Sequence, residues 1–159
     1  MRRALSILVV LAAGSPLLSA QSPTHWDTLA KWPWSISLQA APFRQHTVQL
    51  QLAPKEGMEF KYRIDEGGGM LYSWTATSPL YWELHSQPDN APRGYADFFD
   101  INEGTGSHGV YNAPFTGIHG WWWENRSDRE VTLTLITSGV YSEMHEFRKG
   151  VPVKVTPLR

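Results

Sequence analysis

Apolar and polar residues alternate with a period of two along most of this chain. The clearest example is MEFKYRID, residues 58–65, in which every second side chain from Met58 to Ile64 is apolar. Because successive side chains of a β-strand point to opposite faces, this pattern predicts strands with one buried face. No stretch repeats its apolar residues with the period of a helix. The chain is therefore predicted to be all-β.

The alternation predicts about eight strands, separated by turns rich in Gly, Pro and Asn. The predicted strands are residues 45–52, 58–65, 70–77, 80–86, 96–101, 107–111, 117–125 and 131–138, with 151–156 as a ninth candidate. Short strands joined by such turns predict an antiparallel β-sandwich of two packed sheets. The β-sandwich domain is expected to span residues 45–158.

The first residues have the layout of an export signal. MRRALSILVVLAAGSPLLSAQS begins with two arginines, continues with an apolar stretch and ends with small residues. We expect residues 1–20 to be a signal peptide, which would place the protein in the periplasm or outside the cell. An uncleaved anchor in the inner membrane is the alternative, although Pro16 interrupts an apolar run shorter than the roughly 20 residues of a comfortable membrane span.

Residues 21–44 form a segment rich in Trp and Pro, with Trp26, Trp32 and Trp34 among three prolines. We expect this arm to lie across the domain, with one short strand at residues 35–39. The chain has no cysteine, which excludes a disulfide framework, a thiolate metal site and a cysteine nucleophile. Its formal net charge is −1 and neither sign forms a run, which disfavours a nucleic-acid partner.

Three tryptophans stand in a row within FTGIHGWWWENRSD, residues 115–128. In a regular strand, Trp122 faces one side of the sheet while His119, Trp121 and Trp123 face the other. One of these sides belongs to the core. The other is either covered by the arm, as indole rings usually serve packing, or exposed to a ligand.

The run APFTGIHGWWWENRSDREVTLTL, residues 113–135, resembles the GOLD domain, the lumenal β-sandwich of the Golgi cargo-receptor family. The longer stretch 45–139 is similar to short bacterial exported proteins labelled transmembrane anchor proteins, whose activity is unknown. The resemblance implies a GOLD-like or jelly-roll-like sandwich used for protein contact rather than catalysis. Cargo sorting does not transfer, because this chain lacks the cysteine pair and the following membrane span of cargo receptors.

Two histidines suggest a transition-metal site as one alternative function. His85 lies near the end of the predicted strand 80–86, with Glu83 before it and Asp89 in the following loop. His119 lies near the start of the predicted strand 117–125, which contains the three tryptophans. If the two strands are neighbours, His85 and His119 could face each other. With a carboxylate as the third ligand they would suit copper or zinc.

A carbohydrate or small-ligand platform is a second alternative. Rings such as those of Tyr81, Trp82, Trp121 and Trp123 stack on flat apolar ligand faces, and Asn125 would add a directional hydrogen bond.

No sequence motif for catalysis is present: the chain has no Gly-x-Ser-x-Gly elbow, no His-Glu-x-x-His pair and no phosphate-binding glycine loop. We therefore predict an exported, non-catalytic binding or protein-interaction module of the bacterial envelope, with no cofactor unless copper or zinc binds. Its partner would be a protein or small ligand of the envelope, and an uncleaved N-terminus would add membrane association.

Overall fold

The computed structural model describes residues 38–158, and the residues from Gln39 onward form one compact unit. This part of the chain contains eight strands and no helix. The strands are β1 (Arg44–Leu52), β2 (Gly57–Ile64), β3 (Gly69–Pro88), β4 (Asp97–Asn112), β5 (Gly117–Glu124), β6 (Val131–Gly139), β7 (Glu143–Arg148) and β8 (Lys154–Pro157). Each strand pairs antiparallel with its neighbours, so the all-β antiparallel prediction is confirmed.

All eight strands belong to one curled, hydrogen-bonded sheet with the order β1-β6-β3-β5-β2-β7-β8, and β4 pairs along β3. The first half of β3 pairs with β6 and its second half pairs with β5. The long strand β3 therefore joins two parts of the one curled sheet, which we call its first and second layers. The described strands thus confirm an antiparallel all-β fold but not a sandwich of two separate sheets. The first layer holds β1, β6, the first half of β3 and the half of β4 that pairs with it. The second holds the rest of β3 and β4 with β5, β2, β7 and β8.

The inner faces of the two layers pack against each other. Trp74 in the first layer meets Trp123 in the second edge to face, with ring centroids 5.8 Å apart. The Thr137 hydroxyl of β6 donates a hydrogen bond to the Tyr62 hydroxyl of β2 at 3.1 Å. Aromatic rings of this size bury a large apolar area, which supplies the core of a domain that has no disulfide.

Two arginines bridge the flank where the two layers are not joined by a strand. Arg148 Nη1 donates a hydrogen bond to the carbonyl oxygen of Gln51 at 3.0 Å, from β7 to the free edge of β1. Arg44 Nη2 donates to the carbonyl oxygen of Leu158 at 2.8 Å. The bond from Arg148 occupies a main-chain acceptor that the unpaired edge of β1 would leave to solvent.

The predicted strands 70–77 and 80–86 form the single strand β3, and 96–101 and 107–111 form β4. Pro79 lies inside the register shift between Thr75 and Leu80, where its missing N–H removes no ladder hydrogen bond. The sequence does not predict strand β7, because half of the residues in EMHEFR are charged; in the structure all of its residues are half-buried. β8 begins at Lys154, later than the predicted 151–156.

The predicted signal segment, residues 1–20, lies outside the described residues, as do most of the predicted arm and the start of its short strand. Within the described range, no helix has the length and apolar character needed to cross a bilayer.

Candidate functional site

The triple tryptophan divides between core and surface as the alternation requires. Trp121 and Trp123 are 0 % exposed and their rings stack, with centroids 5.6 Å apart. Trp122 points to the outer face of β5 and lies half-buried against Gly57, where a Cβ would collide with its ring. The side that carries Trp121 and Trp123 is therefore the core side.

This arrangement contradicts the prediction of a ligand platform. Trp82 is buried with Trp121 and Trp123, so none of these three rings offers a face to a ligand. Asn125 is also fully buried, and its amide nitrogen donates to three carbonyl oxygens that hold the loop before β6 in place. Tyr81 is half-buried on the outer face and is covered by the guanidinium of an arginine, whose carbon lies 3.8 Å from the ring centroid.

The predicted metal ligands are likewise not brought together. β3 and β5 are neighbours, but the partner of His85 is Gly120 and the partner of His119 is Ser86. This register places His85 on the outer face and His119 on the inner face of the same sheet. Asp89 lies in the loop after β3, where it forms two 2.6 Å hydrogen bonds with an arginine side chain.

His119 is a buried, hydrogen-bonded histidine. Its Nδ1 lies 2.8 Å from the hydroxyl of Tyr111, which also lies 3.0 Å from the hydroxyl of Ser86. Burial lowers the pKa of His119 to about 4 and raises the pKa of Tyr111 to about 12. Both groups are therefore neutral at pH 7, as a buried polar network requires.

A cluster of charged side chains lies on the outer face of the second layer. The side chain of Lys61 is fully buried there, and its Nζ donates a hydrogen bond to the carbonyl oxygen of His85 at 2.9 Å. Gly120 lies between these two residues in the sheet, as the cross-strand partner of both. Glu59 and Glu83 flank the imidazole of His85, each with an oxygen 3.8 Å from a ring nitrogen.

The electrostatics of the cluster follow from its burial. Desolvation lowers the pKa of Lys61 to about 8, although the charges of Glu59 and Glu83 act in the opposite direction. Desolvation and the Lys61 charge lower the pKa of His85 to about 4, and desolvation raises the pKa of Glu59. At neutral pH the lysine ammonium is thus the positive charge that faces these carboxylates.

Lys61 is therefore the cation of this cluster, with its Nζ 3.9 Å from a carboxylate oxygen of Glu59. Within residues 38–158, no three His, Asp or Glu side chains are grouped closely enough to hold a metal ion. The sequence did not single out Lys61, because in an alternating strand it is indistinguishable from an ordinary solvent-exposed lysine.

The outer face of the first layer differs from that of the second. We call it the uncharged face. Its outward positions are Gln45, Thr47, Gln49 and Gln51 on β1, Thr132, Thr134, Ile136 and Ser138 on β6, Leu71, Ser73 and Thr75 on β3, and Gly106, His108 and Val110 on β4. None of these positions carries Asp, Glu, Lys or Arg.

Three aliphatic side chains of the uncharged face form an exposed cluster. Leu71 is 56 % exposed, Val110 69 % and Ile136 49 %. Leu71 and Val110 are direct partners across β3 and β4, and Ile136 is paired with Ser73 on the neighbouring strand pair. The uncharged alternate positions of two strands can be seen in the sequence, but only the pairing of β6 with both β1 and β3 makes them one surface.

Comparison of the chain with protein-family models, with curated proteins and with solved structures finds no match.

Proposed function

We propose that this chain is a non-catalytic interaction module of the bacterial envelope and that it contacts its partner through the uncharged face. The observation that carries the proposal is the separation of charge between the two outer faces. The second layer exposes or half-buries acidic and basic side chains along each strand, among them Glu59, Arg63, Glu83, Glu124 and Glu143. The uncharged face has none.

Charge depletion has a physical meaning at a contact surface. A charged side chain that loses its water on binding is costly unless it is paired, and the cores of protein interfaces are accordingly poor in charged residues. A protein surface that only meets water has no such constraint, and about a quarter to a third of its residues are charged. The uncharged face can therefore be covered without leaving Asp, Glu, Lys or Arg desolvated, provided that its amides and hydroxyls find hydrogen-bond partners, and its exposed aliphatic cluster gains from being covered.

The envelope location rests on the first 20 residues, with their arginine pair and short apolar stretch. We propose a periplasmic or secreted protein, held at the inner membrane if that segment is retained. A fusion of the full chain to a β-lactamase lacking its own signal tests this proposal. Resistance to ampicillin is expected, and its loss is expected when Arg2 and Arg3 are both replaced by Glu. A sensitive wild-type fusion would contradict export.

Site-specific photo-crosslinking in intact cells tests the contact surface. A photoreactive phenylalanine analogue is placed at Ser73 or Thr134 on the uncharged face, and at Ile101 as the control. Ile101 is 52 % exposed on the outer side of β4 opposite Glu83, outside the uncharged face. The same polypeptide, identified by mass spectrometry, is expected in the adducts from Ser73 and Thr134 and not in those from Ile101. Equal adducts from all three positions, or none, would overturn the proposal.

A further inference from the structure

We infer that the partner of the uncharged face is the same face of a second copy of this chain. The inference rests on the proposed function and names the occupant of the proposed contact surface. Four observations favour a second copy: the size of the face, its hydrogen-bonding groups, the position of its aliphatic cluster and the charge on the opposite side.

The face has the area of a specific interface. It covers four strands, of which β1 and β6 are nine residues long. Its parts of β3 and β4 are seven residues long each. At about 4.8 Å between strands and about 3.3 Å per residue, its footprint is roughly 500 Å², and side-chain relief adds to that figure. Specific interfaces bury about 600–1,000 Å² on each partner. With the side-chain relief included, two such faces reach the lower end of this range.

The side chains of the face can pair with their own copies. Gln, Thr and Ser each donate and accept hydrogen bonds, so the same set of groups satisfies itself across a two-fold axis. The face carries no charge that selects a partner of opposite sign. A partner with charged residues at this position would leave them desolvated and unpaired.

The aliphatic cluster lies where a two-fold axis can use it. Ile136 is on β6, one of the two central strands of the face, and Leu71 is on β3, the other. An axis that passes close to Ile136 sets the cluster of one copy against the cluster of the other. The two sheets would then pack face to face, as sheets do in sandwich domains, with an apolar centre and a rim of amides and hydroxyls.

The second layer is unsuited to the same contact. Its outer face carries half-buried charges of both signs, among them Glu59, Glu83 and Arg63. Pairing of two such faces would take these charges out of water, which is costly unless each of them finds a partner of opposite sign. The formal net charge of the whole chain is only −1, so long-range repulsion between copies is small.

The full chain is expressed, and the protein is purified in the form that the cell produces. Sedimentation equilibrium of this protein tests the inference. The wild type is expected to sediment at twice the mass of the chain. Ile136→Lys places an ammonium at the centre of the contact, and is expected to raise the dimer Kd at least about tenfold. Ile101→Lys makes the same change at an isoleucine of similar exposure outside the face, and should leave the dimer intact. Ser73→Lys repeats the test at an exposed position if Ile136→Lys unfolds, which circular dichroism would reveal.

A wild type that sediments as a monomer, or a dimer that both Ile136→Lys and Ile101→Lys leave unchanged, would overturn the second copy as the partner. A monomer that still gives position-specific adducts with another polypeptide from Ser73 would overturn only this inference. A monomer without such adducts would overturn the proposed contact surface as well.

Discussion

The indole rings of Trp121 and Trp123 stack inside the core, with 15° between their planes, while Trp122 between them lies on the outer face. This arrangement predicts unequal effects of equivalent substitutions. Trp121→Ala leaves a large cavity and should lower the free energy of unfolding by about 3–5 kcal/mol. Trp122→Ala should cost about 1 kcal/mol, since that ring is only half-buried. Urea unfolding of both variants measures the difference, and equal losses would contradict the assigned faces.

The backbone of Gly120 approaches β2 so closely that no side chain fits. A Cβ on Gly120 would collide with the carbonyl oxygen of Phe60 and lie 2.9 Å from the Cα of Lys61. Gly120→Ala should therefore force β5 away from β2 and destabilise the fold by about 3 kcal/mol.

Gly104→Ala is the matched control, because a Cβ on Gly104 has no neighbour within 4 Å. Its free energy of unfolding should stay within about 0.5 kcal/mol of the wild-type value. A tolerated Gly120→Ala would show that β2 and β5 are less closely paired than described.

Asn125 fixes the loop between β5 and β6. Its amide nitrogen donates to the carbonyl oxygens of Leu52, Ala53 and Arg129, at 2.7–3.0 Å. Asn125→Ala removes the donor to the buried carbonyl oxygen of Leu52 and the acceptor of the Ser127 N–H, and should cost about 2–3 kcal/mol. Asn102→Ala, at an exposed position of β4, should cost less than about 0.5 kcal/mol. Thermal unfolding monitored by circular dichroism compares the two, and a neutral Asn125→Ala would show that the loop does not depend on this amide.

The fold class could be predicted from the alternation alone, because Met58, Phe60, Tyr62 and Ile64 must share one face of any regular strand. The limits of the prediction have physical causes. The period-two pattern does not show whether a strand continues through a bend, as β3 does past Pro79. It also fails for β7, where half-buried charged residues replace the apolar alternation.

Most of the candidate site could not be predicted from the sequence, because it depends on which strands pair and in which register. The sequence places His85 and His119 on neighbouring strands, but the register decides which faces they share, and one step of register reverses the answer. The uncharged face depends on pairing in the same way, since Thr134 and Thr75 are far apart in the chain and become partners only through the contact between β3 and β6.

Acid should destabilise the fold through its buried histidines. The pKa values of His85 and His119 are both about 4 in the folded chain, against 6.5 for an unperturbed imidazole. Between pH 4 and pH 6.5 the unfolded chain binds more protons than the folded chain. The contribution of the two histidines to the free energy of unfolding is therefore fully present above pH 6.5 and is lost as the pH falls towards 4. Each histidine should contribute about 2 kcal/mol to this loss.

His119→Gln tests the sign, because glutamine can still bond to the hydroxyl of Tyr111 but cannot titrate. The drop in the urea midpoint between pH 7 and pH 4.5 should be smaller in this variant than in the wild type. An equal drop in both proteins would show that His119 does not resist protonation.

Thiol labelling in intact cells tests the uncharged face most directly, since the chain has no native cysteine. Leu71→Cys places one thiol on the face, and Ile101→Cys places one at a similarly exposed position outside it. A membrane-impermeant maleimide, applied to cells with a permeabilised outer membrane, should label Leu71→Cys at least about tenfold more slowly than Ile101→Cys, because a bound partner covers the face. In the dilute purified protein both thiols should react at similar rates. Equal labelling of the two positions in the cell would contradict the central claim that the uncharged face is a contact surface.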